Sequence, residues 1–356
     1  MMKVETLDGL LRHAVSRKAS DLHIGEGMCP AIRVDGDLEV ISETPIGHDQ
    51  LCKLLREHLS EERFKIFEKE RELDYSFGIT NLGRFRANLF YQRGSITCAI
   101  RALPFDPMNF EEIGFPLTVA EDLTSRPSGL VLVTGATGSG KTTTLAAMLD
   151  HINRKQNCHI VTIEDPIEFL FTNHKSIIHQ REVGADSHSF GEALKHVLRQ
   201  DPDVILIGEM RDLETIEIAM TVAETGHLVF ATLHTPDTVQ SVNRIIDVFP
   251  SHQQQQVRVQ LSFVLQAVIC QQLLPRVGGG LALASEIMIA NPAIRNLIRE
   301  SKSHQIYSSI QMGQKEGMRT LNMSLAELVK NKKITRESAF SRSPDVPELE
   351  RLLASK

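Results

Sequence analysis

The stretch "GATGSGKT", Gly135 to Thr142, constrains this chain more than any other. It matches the phosphate-binding pattern G-x-x-x-x-G-K-[ST] in full, with the apolar run "LVLVT" directly before it and a helical pattern directly after it. Gly135, Gly138 and Gly140 let backbone N–H groups wrap β- and γ-phosphates, and the helix N-terminus adds favourable partial charge. Lys141 reaches the phosphates and the Thr142 hydroxyl can ligate Mg²⁺, while Thr137, Ser139 and Thr143 complete the loop and the first helical turn. A loop of this kind commits the residues around it to an α/β layer.

The rest of the second half agrees. Apolar strands "LVLVT", "HIVTIE", "VILI" and "LVFATLH" alternate with helical stretches near 141, 189–200 and 212–224, the rhythm of a mostly parallel sheet covered by helices. Residues 251–274 read as helix throughout, with "SFVLQAVICQQLL" apolar enough to be buried, and the tail from 291 onward reads as amphipathic helix. Ligands of such sheets bind beyond the carboxyl ends of the strands. At that edge "HIVTIEDPIE" releases Glu164 and Asp165, "VILIGEMRD" releases Gly208 and Glu209, and "LVFATLH" releases Thr232 and His234.

In many nucleotide hydrolases an aspartate stands where this chain has Gly208. Mg²⁺ would then be held by Thr142, phosphate oxygens, waters and Glu164, because Mg²⁺ keeps much of its hydration. Glu209 is free to orient or deprotonate an attacking water, and His234 is the candidate sensor of the γ-phosphate. His227 begins the same strand; seven residues at about 3.3 Å each separate it from His234, so it suits a structural or intersubunit bond instead.

The first hundred residues are patterned differently. Leu7, Leu10, Leu11, Ala14 and Val15 recur at helical spacing, Asp35-Gly36 in "AIRVDGDLEV" signals a hairpin, and helices are expected near 48–58 and 60–70. "RFRANLFY" alternates, with Arg84 and Arg86 opposite Phe85, Ala87 and Leu89, and "ITCAIRA" carries Arg101 on its polar face. Residues 1–103 therefore read as a small α+β domain whose sheet displays arginines. Four of the fourteen prolines fall in 104–127, which reads as an extended linker, with 128–356 as the second domain. Phosphoryl transfer wants a cation, and Arg84, Arg86 and Arg101 would supply it in trans if one subunit's first domain covered a neighbour's nucleotide, which requires a ring.

Composition narrows the partners. A net charge of −6 disfavours nucleic acid, which needs a basic face. No stretch is apolar enough for a signal peptide or a membrane span, so the expectation is a cytoplasmic protein that meets a membrane only through a partner. The cysteines at 29, 52, 98, 158 and 270 form no C-x-x-C pair and read as reduced, buried small side chains rather than a disulfide framework or zinc site.

"GATGSGKTTT", "TIEDPIE", "DVILIGEMRD" and "TGHLVFATLHT" together resemble the Walker A, Asp, atypical Walker B and His boxes of the secretion and pilus ATPase superfamily, in order and spacing. Glycine before the Walker B glutamate is normal there. Within the superfamily the chain is similar to the type IV pilus retraction ATPases: "ASDLHI", residues 19–24, matches the N-terminal signature, and "AIRNLIRE", residues 293–300, matches the segment associated with retraction. The resemblance implies ATP and Mg²⁺, a RecA-like ATPase domain, a PAS-like first domain, and a homohexamer peripheral to the inner membrane under a pilus platform protein. As physical chemistry, "AIRNLIRE" is an amphipathic helix with Ile294, Leu297 and Ile298 inward; Arg295 and Arg299 at i,i+4 repel, a hint that they meet an acidic partner. Assembly ATPases of the superfamily usually carry a cysteine tetrad that this chain lacks. An accessory retraction or secretion ATPase, a non-hydrolysing ATP scaffold and a nucleic-acid translocase are the other readings.

Overall fold

The computed structural model describes residues 5–34, 36–103 and 107–354. It divides into two compact units, residues up to 106 with 168–170, and 107–167 with 171–356.

In the first unit the chain runs α1 (Leu7–Ser16), β1 (Asp21–Gly25), β2 (Ala31–Val34), β3 (Asp37–Val40), α2 (His48–Leu55), α3 (Glu61–Glu70), β4 (Glu72–Ile79), β5 (Gly83–Gln92) and β6 (Ser95–Leu103). The strands form one antiparallel sheet in the order β3-β2-β1-β6-β5-β4. Alternation on β5 is as expected: Phe85, Ala87 and Leu89 are fully buried in a core shared with Leu10 of α1, Leu51 of α2 and Phe67 of α3. Val34 pairs with Asp37, so β2 and β3 form the expected hairpin; Asp35, at its turn, lies outside the described residues.

The second unit contains α4 (Phe110–Ile113), α5 (Leu117–Thr124), β7 (Gly129–Thr134), α6 (Lys141–Lys155), β8 (His159–Glu164), β9 (Ile177–Glu182), α7 (Phe190–Val197), β10 (Val204–Ile207), α8 (Leu213–Glu224), β11 (Leu228–Leu233), α9 (Thr238–Asp247), α10 (Gln254–Val264), β12 (Leu265–Pro275), β13 (Leu281–Ile289), α11 (Pro292–Arg299), α12 (Ile306–Met312), α13 (Leu321–Lys330), α14 (Arg336–Phe340) and α15 (Val346–Ala354). The seven-stranded sheet has the order β13-β12-β7-β11-β10-β8-β9. All its pairings are parallel except β12 with β13, so β7, β11, β10 and β8 end at one edge. The α/β class expected from the strand–helix rhythm, beside a small α+β first unit, is the observed one.

Two expectations are corrected. Residues 104–127 do not form an extended linker: α4 and α5 lie there, with Phe110, Phe115, Val119, Ala120 and Leu123 in the second core. Pro116 starts a helix rather than preventing one, standing at the N-cap of α5 where its missing N–H is harmless. Of that span, 104–106 lie outside the described residues.

Residues 251–274 are not one helix. The helix α10 stops at Val264, and the apolar half becomes β12, which pairs with β7. A buried strand and a buried helix share an apolar run, so periodicity does not separate them.

Candidate active site

Strand β7 is buried along its whole length and delivers the chain into Gly135, whose φ is 138°. A Cβ there would lie 2.5 Å from the Gln271 carbonyl oxygen and 2.6 Å from Ser139 Oγ. Only glycine fits this turn. Helix α6 then opens from Gly140 with no side-chain cap, leaving its first N–H groups to the loop, with Thr142 and Thr143 half-buried in the first turn. Lys141 is almost fully buried, and its Nζ donates to the carbonyls of Gly135 and Ala136 at 2.9 and 3.0 Å. Ser139 Oγ is buried with no partner among the described residues. An orphaned hydroxyl, a caged ammonium and open N–H groups around one loop fit a polyphosphate; Thr137 and Gly138 stand exposed at the tip.

The neighbouring strand ends supply the ionisable groups. His234, just past β11, places Nε2 3.3 Å from Glu209 Oε1, and Arg211 Nη2 lies 2.8 Å from Glu209 Oε2. Burial alone would raise the Glu209 carboxyl, but the Arg211 hydrogen bond and charge, with His234, hold it below the usual glutamate value. It is therefore ionised near neutrality and poorly basic, which suits orienting a water better than deprotonating one. A Cβ at 208 would lie 3.2 Å from the Ile163 carbonyl oxygen and 3.3 Å from Glu164 Cα, so a side chain there needs the end of β8 to give by a few tenths of an ångström.

Glu164 is buried at the end of β8, where its Oε1 accepts from Thr162 Oγ1 at 2.6 Å and Gln180 Nε2 at 3.2 Å. By sheet order, at about 4.8 Å per strand, β10 is ~10 Å and β8 ~14 Å from β7. The structure thus joins Glu209 to His234 directly and sets Glu164 further out, toward β9.

The loop opens onto a cavity of about 470 Å³ lined by Gly135 to Ser139, His234 to Pro236, Gln271 to Leu273, and Arg342. Gln271 and Arg342 escaped the sequence reading. Gln271 lies in the segment read as helix, and its Nε2 donates to Thr144 Oγ1 at 2.8 Å, bolting β12 to α6. Arg342 sits some 200 residues downstream with no motif around it.

His227 is at the opposite end of β11, its Nδ1 3.1 Å from both the Val222 carbonyl and Thr225 Oγ1, a local bond. Arg295 finds its partners among carbonyl oxygens rather than carboxylates. Its guanidinium donates to the carbonyls of Ala290, Ser262 and Phe263 and to Gln266 Oε1, all within its own unit. Burial, with Arg126 and Arg299 nearby, lowers its pKa. Arg299 contacts Asn296 Oδ1 at 3.3 Å; Ile294 and Ile298 are fully buried and Leu297 partly, as expected for the helix.

Within the first unit, Arg86 stands directly opposite Arg101, which in turn pairs with Asp21 at 3.0 Å. Like charges facing across a ladder are unfavourable, and Asp21 offsets one of them. Arg84 shares that sheet face with Arg86. No helix of the described residues is long and apolar enough to cross a membrane.

A family model described as "Type II/IV secretion system protein" matches residues 2–280. The chain is 48% identical over 339 residues to the type IV pilus retractation ATPase PilT of Pseudomonas aeruginosa, covering 95% of this chain and 98% of that one. It is 46% identical over 315 residues to a twitching motility protein of Neisseria gonorrhoeae, covering 88% and 84%. Among solved structures, the crystal structure of the pilus retraction motor PilT with bound ADP superposes with a TM-score of 0.91 at 50% identity, covering 98% of this chain and all of that one.

Proposed function

The chain belongs to the type II/IV secretion system protein family, and we propose that it is a motor ATPase whose turnover of ATP drives retraction of a type IV pilus. The observation that carries this reading is the intact phosphate loop, with its orphaned Ser139 hydroxyl, beside the Glu209–His234 pair. Similarity along nearly the whole chain to pilus retraction and twitching motility proteins supports the cellular role.

On nucleotide binding, Lys141 exchanges the Gly135 and Ala136 carbonyls for phosphate oxygens, a change from weak acceptors to anionic ones. Glu209, ionised and steered by Arg211 and His234, orients the attacking water, and His234 reports on the γ-phosphate. Thr142 and Glu164 would hold Mg²⁺, which would supply neutralisation of the charge on the phosphate oxygens. Arg84, Arg86 and Arg101 act in trans in a homohexamer, and the motor works at the cytoplasmic face of the inner membrane against a pilus platform protein.

The test is steady-state ATPase activity against protein concentration, wild type beside Glu209→Ala, with oligomeric mass taken on the same samples. Activity that rises with ring formation and disappears in the variant while rings persist is expected. Full activity in a monomer would remove the trans arginines from the mechanism.

A further inference from the structure

Two cations of the site are already engaged: Lys141 on loop carbonyls and Arg211 on Glu209. Arg342 differs. It lines the same cavity as Gly135 to Ser139, is exposed, and pairs with no carboxylate among the described residues. The cavity lining contains no acidic residue, so His234 and Arg342 are its ionisable groups. A guanidinium facing a cavity without carboxylates raises the local affinity for an anion.

Its position is built rather than incidental. Arg342 follows α14 and lies in the short loop before α15, its N–H closing onto the Ala339 carbonyl. Fully buried Asn322 of α13 grips that loop from both sides: its Oδ1 accepts from Ser343 Oγ at 2.7 Å, and its Nδ2 donates to the Asp345 carbonyl at 2.9 Å. Buried Glu348 then pins α15, accepting from Tyr307 Oη, Gln311 Nε2 and Asn322 Nδ2 at 2.6 to 2.7 Å. A clamped backbone carrying one free, flexible cation is the arrangement expected where a side chain must reach a ligand and its base must not move.

We infer that Arg342 binds the phosphate chain of the nucleotide in cis, so that the C-terminal helical segment closes the site its own subunit opens with Gly135 to Thr142. This rests on the ATPase reading. It assigns Arg342 to nucleotide affinity, in contrast to the first-unit arginines proposed to act on a neighbour. A bidentate guanidinium–phosphate contact is stronger than one an ammonium can make, so lysine is an incomplete substitute.

The experiment measures ADP dissociation constants, competition by inorganic pyrophosphate, steady-state ATPase kinetics and the thermal midpoint without nucleotide, for wild type, Arg342→Ala, Arg342→Lys and Arg342→Glu. Lys141→Ala serves as the control for loss of the phosphate site. Expected for Arg342→Ala are about tenfold weaker ADP and pyrophosphate binding and a raised KM, with kcat within about twofold and the midpoint unchanged. Lysine should recover part of the loss and glutamate deepen it. ADP affinity equal to wild type in Arg342→Ala would overturn the inference. So would weakened ADP with unaltered pyrophosphate competition, which places the contact on the base, or a lowered midpoint, which makes the residue structural. A wild-type protein that binds no ADP would overturn the ATPase reading itself.

Discussion

Arg295 donates to the carbonyl oxygen of Ser262 across 2.6 Å, and the bond closes the end of α10. The last carbonyls of a helix have no partners within it, and a cation placed there also meets the negative end of the macrodipole. Here the need is acute, because Val264 ends the helix and Leu265 begins β12 with no loop between them. The same guanidinium takes the Phe263 and Ala290 carbonyls and touches Gln266 Oε1. Gln266 sits at the register irregularity of β12, and its Nε2 donates to the Ser128 carbonyl, just before β7. The "AIRNLIRE" helix is thereby tied to the root of the strand that carries the phosphate loop.

Arg295→Ala leaves the carbonyls of Ser262, Phe263 and Ala290 short of a donor; the part-buried acceptors of Ser262 and Ala290 carry the cost, since the Phe263 carbonyl is exposed to water. Unfolding of the second unit in urea should show a loss of about 2–3 kcal/mol. Arg295→Lys should recover less than half of it, since one ammonium cannot fork to acceptors on two segments. A wild-type urea midpoint in Arg295→Ala would move the residue's role from the interior to a surface.

Glu209→Gln keeps the shape of the site and removes the charge. ADP affinity should stay within about twofold while kcat falls by roughly 10²–10⁴, the range for a positioned acid–base group. The pH dependence has a definite sign. A carboxyl held below its ordinary value is already ionised near neutrality, so the ratio of wild-type to Glu209→Gln kcat, which isolates the Glu209 charge, should be flat between about pH 6 and 8 and fall only toward the acid side, below about pH 4.3. A ratio that rises with a midpoint near neutrality would mean that Arg211 lets go of Glu209 during turnover.

What could be read in advance follows from where the information sits. The phosphate loop, Glu209 and His234 are set by a few consecutive residues on strands whose direction the strand–helix rhythm already fixes, so they were legible. The strand β12 was not, because the signal that ends α10 is Arg295, some thirty residues later, and not a turn residue at 264. Arg342 was hidden for the same reason: Asn322 and Glu348 hold its loop through tertiary hydrogen bonds that leave no local pattern. In 104–127 the density of prolines suggests a break in regular structure, although Pro116 at the start of α5 is compatible with a helix.

Glycines 135 and 138 separate steric from conformational demand. Both have positive φ, 138° and 78°. A Cβ on Gly135 collides with the Gln271 carbonyl and Ser139 Oγ, whereas one on Gly138 meets nothing within 4 Å. Gly135→Ala should therefore weaken ADP binding by a hundredfold or more, about 2.7 kcal/mol, because the loop must shift; Gly138→Ala should weaken it by about tenfold, from the backbone strain of one left-handed residue. Equal effects in calorimetric ADP titrations would mean that the loop moves freely past Gln271.

Glu286 offers a stability test in the same unit. It is buried on β13, and its Oε1 accepts from Thr238 N at 2.9 Å and Thr238 Oγ1 at 2.7 Å, where α9 begins. Burial pushes its carboxyl above the usual value, with Asp237 adding to the shift and the two Thr238 bonds opposing it. A raised folded-state pKa means that the native chain holds the proton more tightly than the unfolded one. Stability from this group is then fully present below the unfolded value, about 4.3, and lost as pH rises through the folded value. Glu286→Gln keeps the acceptor and never ionises. The stability difference between variant and wild type should thus move in the variant's favour as pH rises from about 4 to 7, by up to about 1.4 kcal/mol per pH unit inside the window. Urea titrations of both proteins at matched pH read this difference directly. A gap constant with pH would mean that Glu286 titrates alike in the folded and unfolded chain, and that the Thr238 bonds fully offset its burial.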